Sequence, residues 1–363
     1  MDFSVIGPSD VVEDLIDKLK TGRLMALYFI GSTRTSTIPG LSIAGATPEL
    51  TLYTPACDVE YLVYGKPKSF DVIPVTPEGI PTPAVITRAC INLCNVPYTI
   101  VDAGSAIEPK IPHIALPSRR VGDPINTGKA MPYEIAKALY NEAKTLAHTL
   151  RGADVYMIGE SIPGGTTTTL GILSALGYEA WSKVSSASPT NPHDLKEKVV
   201  KEGLEKSGLK VEEARQDPIK AVSALGDPVH VSMAGFLHGA LENKAKVVLA
   251  GGTQMASVLA IAKHMNVNLE GVMIATTRWI TSDQSSSLAS LVKSITPSIP
   301  ITSINLDFSE APYEGLRYYE KGYVKEGVGA GGTAFIAHVL TGKGVRDLEK
   351  AIYEEYGWLT EKK

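Results

Sequence analysis

The sequence predicts an α/β fold: an open, mainly parallel sheet with helices on both faces in a Rossmann-like three-layer arrangement, plus a small helical part made from the chain ends. Segments such as Lys246-Val-Val-Leu-Ala250 and Gly271-Val-Met-Ile-Ala275 are continuously apolar, as strands are when helices cover both faces of a sheet. They alternate with stretches of helical spacing, and right-handed strand–helix–strand crossovers then give a parallel sheet. Glycine-rich turns at Asp102-Ala-Gly104, Gly159-Glu160 and Ala250-Gly-Gly-Thr253 follow predicted strands, where open α/β sheets bind their ligands.

Taken in order, residues 9–20 have a capped start and apolar positions at helical spacing, predicting an amphipathic helix that Gly22 ends. Residues 25–30 read as a buried strand. The polar stretch 31–48, full of Ser, Thr, Gly and Pro, reads as a long loop, which in a compact enzyme is functional or disordered. A strand is expected at 59–64, a helix at 82–94 and a strand at 98–102. The pattern then repeats: helix 132–150, strand 154–158, helices 167–176, 194–207 and 229–242, strand 246–250, helix 253–265, strand 270–275, helix 284–293 and strand 301–305. Helices near 331–341 and 344–356 close the chain. The expected division is a small helical part from 1–24 with 342–363, and an α/β catalytic domain over 25–341. No internal repeat or low-complexity segment interrupts it.

Composition narrows the function. The chain has 363 residues, 44% hydrophobic and 20% charged, ample for a soluble globular core. A net charge of −4 without a long basic run gives nucleic acid no counterion-releasing surface. Cys57, Cys90 and Cys94 are an odd number without zinc spacing, pointing to a reducing compartment. No basic region precedes an apolar segment at the N-terminus, and 24–30 is too short to cross a bilayer, so a cytoplasmic protein is expected. The seven histidines show no paired metal spacing, so neither a metal nor a cofactor is expected.

The chemistry concentrates at Gly159-Glu-Ser-Ile-Pro-Gly-Gly-Thr-Thr-Thr-Thr-Leu170, between the strand Asp154-Val-Tyr-Met-Ile158 and the start of a helix. A helix N-terminus offers unpaired N–H groups and partial positive charge, glycines let an anion approach the backbone, and threonines add donors. Gly164, Gly165, Thr166 and Thr167 are therefore candidate phosphate ligands, although a plain Pro-Gly turn into a Thr-capped helix would read the same. No Gly-Lys-Ser/Thr follows, so this is not an ATP-type P-loop. Gly251, Gly252 and Thr253 repeat the strand–glycine–helix arrangement and are candidates for a second face of the phosphate. Glu160 at the strand end could orient a ribose or steady positive charge, or simply cap its own loop. Glu326, in Lys325-Glu-Gly-Val-Gly-Ala-Gly-Gly332, is a candidate general base unless that run is only a surface turn. Without a Gly-x-Ser-x-Gly elbow or Cys–His pairing, what remains is metal-free chemistry on a phosphorylated substrate, which includes glycosyl transfer at a ribose.

These residues resemble the nicotinate-nucleotide:dimethylbenzimidazole phosphoribosyltransferase family, which makes the lower-ligand nucleotide of cobalamin. Gly159-Glu-Ser-Ile-Pro-Gly-Gly-Thr-Thr167 is similar to the family's Gly-Glu-Met-Gly-Ile-Gly-Asn-Thr-Thr. Val121-Gly-Asp-Pro-Ile-Asn-Thr-Gly-Lys-Ala-Met131 resembles its Gly-Thr-x-Asn-x-x-x-Gly-Pro-Ala-Met. Asp217-Pro through Leu225-Gly226, Met233-Ala-Gly235 and Val248-Leu-Ala-Gly-Gly252 track its Asp-Pro, Leu-Gly-Gly, Met-Ala-Gly and Val-Asp-Gly-Phe series. Lys325-Glu-Gly-Val-Gly-Ala330 matches Gly-Glu-Gly-Thr-Gly-Ala, and Gly40-Leu-Ser-Ile-Ala-Gly-Ala-Thr-Pro-Glu-Leu-Thr51 is a looser match to Gly-Val-Ser-x-x-Pro-x-x-Val-Thr. The motifs run in family order over about 300 residues, and it is the ordered set that is specific.

The resemblance implies Glu326 as general base, Glu160 as the acid of the active-site loop, Gly164 to Thr167 with Gly251 and Gly252 as phosphate cradles, Lys198 as a lysine near the phosphate, and Ser42 and Glu49 at the acceptor base. It implies nicotinate mononucleotide and an aromatic nitrogen base as substrates, and a homodimer. The sequence departs from the family at Gly31-Ser-Thr-Arg-Thr35, where Asp-His-Gly-Val is absent, and at Ala250-Gly-Gly252, where the motif has Asp-Gly-Phe. The acceptor therefore stays open among benzimidazoles and purines, with a nicotinate-nucleotide hydrolase or a non-catalytic nucleotide-binding protein as alternatives.

Overall fold

The computed structural model describes residues 1–70, 75–76 and 79–361. Residues 71–74 and 77–78 of the 25–341 segment, and 362–363 at the chain end, lie outside the described residues. Strands β1 (Phe3–Ile6), β2 (Leu24–Gly31), β3 (Tyr98–Gly104), β4 (Ile114–Ala115), β5 (Val155–Ser161), β6 (Lys246–Ala250), β7 (Val272–Thr277) and β8 (Ile301–Ile304) form one sheet in the order β1-β8-β7-β6-β5-β2-β3-β4. Every neighbouring pair is parallel except β1 with β8, where Phe3 faces Ile304. This is the open, mainly parallel α/β sheet that the apolar strands predict.

Alternation along the strands feeds two cores, one on each face. Leu27, Phe29, Tyr156, Ile158 and Leu249 face one, against helices that include Tyr133–Thr149, Pro228–Glu242 and Met255–His264. Ala26, Tyr28, Ile30, Met157 and Val248 face the other, against Ala84–Cys94 and Ala330–Thr341. Tyr133–Thr149 and Pro228–Glu242 approach closely at Gly235, where a Cβ would meet the Tyr140 carbonyl oxygen at 2.1 Å. The chain ends join the second core: Leu15 and Leu19 of the helix Ser9–Thr21 and Leu348 and Ile352 of the helix Val345–Glu361 are fully buried. Among the described residues no helix is long and apolar enough to cross a membrane.

Several segments differ from the sequence reading, among them the edge strands β1 and β4, which it did not foresee. The strand expected at 59–64 is part of the helix Thr54–Tyr64, which has Pro55 in its first turn and left-handed Gly65 after its end. Pro55 to Leu62 are all buried, so no polar face remained to reveal the helical period. The helix expected at 284–293 is instead Leu288–Ile295, capped by Ser287, whose hydroxyl accepts the Ser290 N–H. The helices Val211–Gln216 and Pro218–Leu225 were unforeseen, although Asp217-Pro218 is a legible helix start: the Asp217 side chain accepts the Ile219 N–H. The 31–48 loop is built around a 3₁₀ turn, Arg34–Thr37, with Thr35 and Ser36 buried.

Candidate active site

β2 and β5 are neighbours, and the chain runs outward from them in opposite directions, through β3 and β4 on one side and β6, β7 and β8 on the other. This is the topological switch point at which open α/β sheets hold their ligands. Beyond these carboxyl ends lies a cavity of about 930 Å³, large enough for two small substrates.

Two helix N-termini open onto it. β5 runs through Ile162-Pro163-Gly164 into the helix Gly165–Ala175, with Gly164 in the left-handed region at φ 82°. Gly164, Gly165 and Thr166 line the cavity, whereas Thr167 is buried one residue behind, its hydroxyl without a partner among the described residues. β6 leads in the same way through Gly251 to Gly252 and Thr253, which also line the cavity ahead of the helix Met255–His264. Gly251 does not line it. The Thr253 hydroxyl accepts the Ser185 N–H at 3.0 Å, tying the turn to the neighbouring 185–188 loop. Partial positive charge at both termini suits an anion between them.

Three carboxyls share the cavity with them. Glu326 sits in a turn where Val324, Lys325 and Val328 all have positive φ, an unfavourable conformation for β-branched side chains that marks a built, strained segment. Its Oε2 accepts from Thr276 Oγ1 at 3.0 Å and the Thr277 N–H at 2.9 Å, and its Oε1 from the N–H groups of Gly331 at 3.0 Å and Gly327 at 3.3 Å. Burial pushes its pKa above the ordinary carboxylate value, with those four donors pulling against it. The Glu160 carboxyl, 2% exposed at the end of β5, accepts among the described residues only the Ile162 N–H, through Oε2 at 3.1 Å. Burial and the neighbouring Glu326 charge push it well up. The donors to Glu326 offset part of its burial, so of the pair Glu160 is pushed further above the ordinary carboxylate value. Asp58, which sequence reasoning missed, accepts from Thr82 Oγ1 at 2.6 Å and Ser161 Oγ at 2.7 Å, and burial raises it to about 6. An acid amid the apolar run from Pro55 to Leu62 is the signal that could have found it.

Lys198 is not brought to the cavity. It lies on the exposed face of the helix His193–Ser207, while Lys196, two residues and more than half a turn away, points inward. Lys196 is fully buried: its Nζ donates to the Ser185 carbonyl at 2.6 Å, and desolvation with the nearby Lys325 charge lowers its pKa to about 7. Lys325 Nζ donates to the Ser186 carbonyl at 2.8 Å and lies 3.4 Å from Asp283. The two lysines bind the carbonyls of Ser185 and Ser186, and Ser185, Ser186 and Ala187 line the cavity. Nothing in their spacing set these lysines apart from solvated ones.

The remaining wall is apolar. Leu41, Tyr53, Phe70, Ile80 and Pro81 line it, with the Tyr53 and Phe70 rings 5.3 Å apart. Ser42 lies on this wall. Glu49 is exposed on the 3₁₀ helix Glu49–Leu52 and does not line the cavity. Among the described residues no group of three His, Cys, Asp or Glu side chains is placed to hold a metal.

A phosphoribosyltransferase family model matches residues 84–296, which carry β3 to β7, the Gly164 and Gly252 turns and the buried Lys196. The chain belongs to this family. Its relatives include the UPF0284 protein of Aeropyrum pernix, 47% identical over 359 residues and 98% of each chain. The UPF0284 protein of Thermococcus onnurineus is 45% identical over 341 residues, 93% of this chain and 98% of the relative. The fold is shared with the nicotinate-nucleotide-dimethylbenzimidazole phosphoribosyltransferase of Thermus thermophilus, with a TM-score of 0.58 at 16% identity over 94% of this chain and 98% of that one. A structure of CobT from the same organism gives a TM-score of 0.58 at 15% identity, covering 93% and 92%. The matched residues include both glycine turns and Glu160, while Glu326 and Asp58 lie outside them.

Proposed function

We propose that this phosphoribosyltransferase moves the 5-phosphoribosyl group of nicotinate mononucleotide to a benzimidazole-like or purine base, releasing nicotinate, as in the synthesis of the lower-ligand nucleotide of a cobamide. The observation that carries this is the pairing, across one cavity, of two helix N-termini with the carboxyls of Glu160 and Glu326. The phosphate rests on Gly164 to Thr166 and Gly252 to Thr253, which fixes C1′ of the ribose toward Glu326. The acceptor ring occupies the apolar wall beside Ser42 and Tyr53. One ring nitrogen attacks C1′ as the bond from C1′ to the nicotinate nitrogen breaks, with inversion at that carbon. Nicotinate leaves with the bonding pair on its ring nitrogen, and Glu326 takes the proton from the acceptor's other nitrogen. Oε1, whose bond from Gly327 is the longest of the four, is the oxygen that receives it. Glu160 carries its proton and donates to the ribose, orienting it. Alignment of two substrates in one cavity is worth about 7–11 kcal/mol in favourable cases, so positioning supplies most of the acceleration. The working unit is a homodimer in the cytoplasm.

The test is turnover of purified protein with nicotinate mononucleotide plus dimethylbenzimidazole, other benzimidazoles, adenine, or no base. Nicotinate release that depends on one base establishes the transferase. Release of ribose 5-phosphate without any base makes the protein a hydrolase instead. In Glu326→Gln, transfer should fall about 10²–10⁴-fold while nucleotide affinity holds, as for loss of a general base; equal loss of both would remove Glu326 from that role.

A further inference from the structure

A second polar chain reaches the cavity from behind. Asp227 and His230 are both fully buried at the start of the helix Pro228–Glu242. Asp227 Oδ1 accepts the N–H groups of Val229 at 2.9 Å and His230 at 2.8 Å, and Oδ2 accepts from Thr168 Oγ1 at 2.5 Å. Burial pushes the Asp227 carboxyl up, but the His230 charge and these donors outweigh it and leave the carboxyl below its ordinary value. His230 Nδ1 lies 2.7 Å from Asp227 Oδ2, too bent for a good hydrogen bond and close enough for an ion pair. On its other side, Nε2 is 2.8 Å from Oε1 of Gln254. Gln254 lines the cavity between the two glycine turns, and its side chain lies so near Gly165 that a Cβ there would meet Oε1 at 2.0 Å.

Both ring nitrogens of His230 therefore face acceptors, Nε2 at hydrogen-bond distance from the amide oxygen and Nδ1 beside a buried carboxyl. The Gln254 oxygen is spent on the ring, and its NH₂ group is what remains for the cavity. We propose that Asp227 and His230 are positioning residues that lock Gln254 with its NH₂ toward the cavity, making Gln254 a donor to a phosphate-monoester oxygen held between Gly164–Thr166 and Gly252–Thr253. This rests on the reading of those turns as the phosphate site. Asp227 stands where the resembling motif Leu-Gly-Gly has its second glycine, so the device is additional to the motif.

The experiment is calorimetric titration of the whole protein with nicotinate mononucleotide and with nicotinate riboside, which lacks the phosphate. Gln254→Glu keeps an acceptor for His230 but puts an acid beside the phosphate. Its affinity for the nucleotide should fall about 10–100-fold, the range of a charge-assisted hydrogen bond, while its affinity for the riboside stays within about two-fold. His230→Asn, which frees the Gln254 amide, should raise KM for the nucleotide with kcat little changed. If Gln254→Glu does not fold, Gln254→Met, similar in length without an N–H, takes its place with the same expected loss. Unchanged nucleotide affinity in a folded Gln254 variant overturns the proposal and leaves the phosphate reading standing. A wild-type protein that binds nucleotide no more tightly than riboside removes the phosphate site, and the proposal with it.

Discussion

At the scale of single residues, the site is governed by how many donors each buried carboxyl meets. Among the described residues Glu326 has four and Glu160 one, so the same residue type meets two different settings within one cavity. Asp58 has two hydroxyls, and burial raises it from 3.8 to about 6. In this window the folded protein holds a proton that the unfolded chain releases, so Asp58 costs stability progressively as pH rises from about 4 to about 6, by roughly 3 kcal/mol in all. Asp58→Asn has no such titration. Relative to wild type, its unfolding free energy should therefore improve by up to about 3 kcal/mol between pH 4 and pH 7, read by denaturant unfolding at the two values. A difference that stays constant with pH would show that Asp58 ionises freely. The apolar setting of Asp58 was legible in the sequence. Its partners Thr82 and Ser161, 24 and 103 residues away, were not.

At the scale of elements, strand–turn–helix units do the positioning. Gly164 caps the helix Gly165–Ala175 from the left-handed region, where a Cβ would sit 3.1 Å from the Ser36 nitrogen. An L side chain in that conformation costs roughly 1–2 kcal/mol before the contact is counted. Gly164→Ala should therefore lower stability by about 1–3 kcal/mol in urea unfolding and weaken nucleotide binding with it; undiminished stability would mean that the turn relaxes without strain. The strands and the two glycine turns were legible because continuous apolarity and Gly-Gly-Thr runs are local signals. Lys196 was passed over for Lys198 because both lie in a charged helix, and only the packing of that helix decides which of them faces inward.

For the whole molecule, the chain ends complete one layer of the fold. The final helix, Val345–Glu361, packs on Ala84–Cys94, where Arg88 pairs with Glu355 at 2.9 Å and Tyr61 donates to the same carboxylate at 2.7 Å. Leu348, Ile352, Tyr356 and Leu359 are buried beneath it. At roughly 1.5–3 kcal/mol each, these four contribute on the order of 6–12 kcal/mol, as much as the whole stability of a typical protein, about 5–15 kcal/mol. A chain ending at Gly344 should accordingly show no cooperative unfolding transition and no nucleotide binding. A truncated protein that melts like the full chain would show this layer to be dispensable.

The sequence by itself determined what local chemistry can encode: the α/β class, the order of most strands and helices, the two anion-ready turns, and the acids at 160 and 326. It also carried an ordered set of motifs that places the chain in its family. The tertiary structure alone decided which side chains share the cavity. It admitted Asp58 and Gln254, turned Glu49 and Lys198 to solvent, and set Asp227 and His230 behind the glycine turns. The reason is physical: strand order and helix packing bring together residues far apart in the chain, such as Asp58 and Glu326, 268 positions apart, and whether a charge is buried or solvated depends on that packing rather than on its neighbours in the chain.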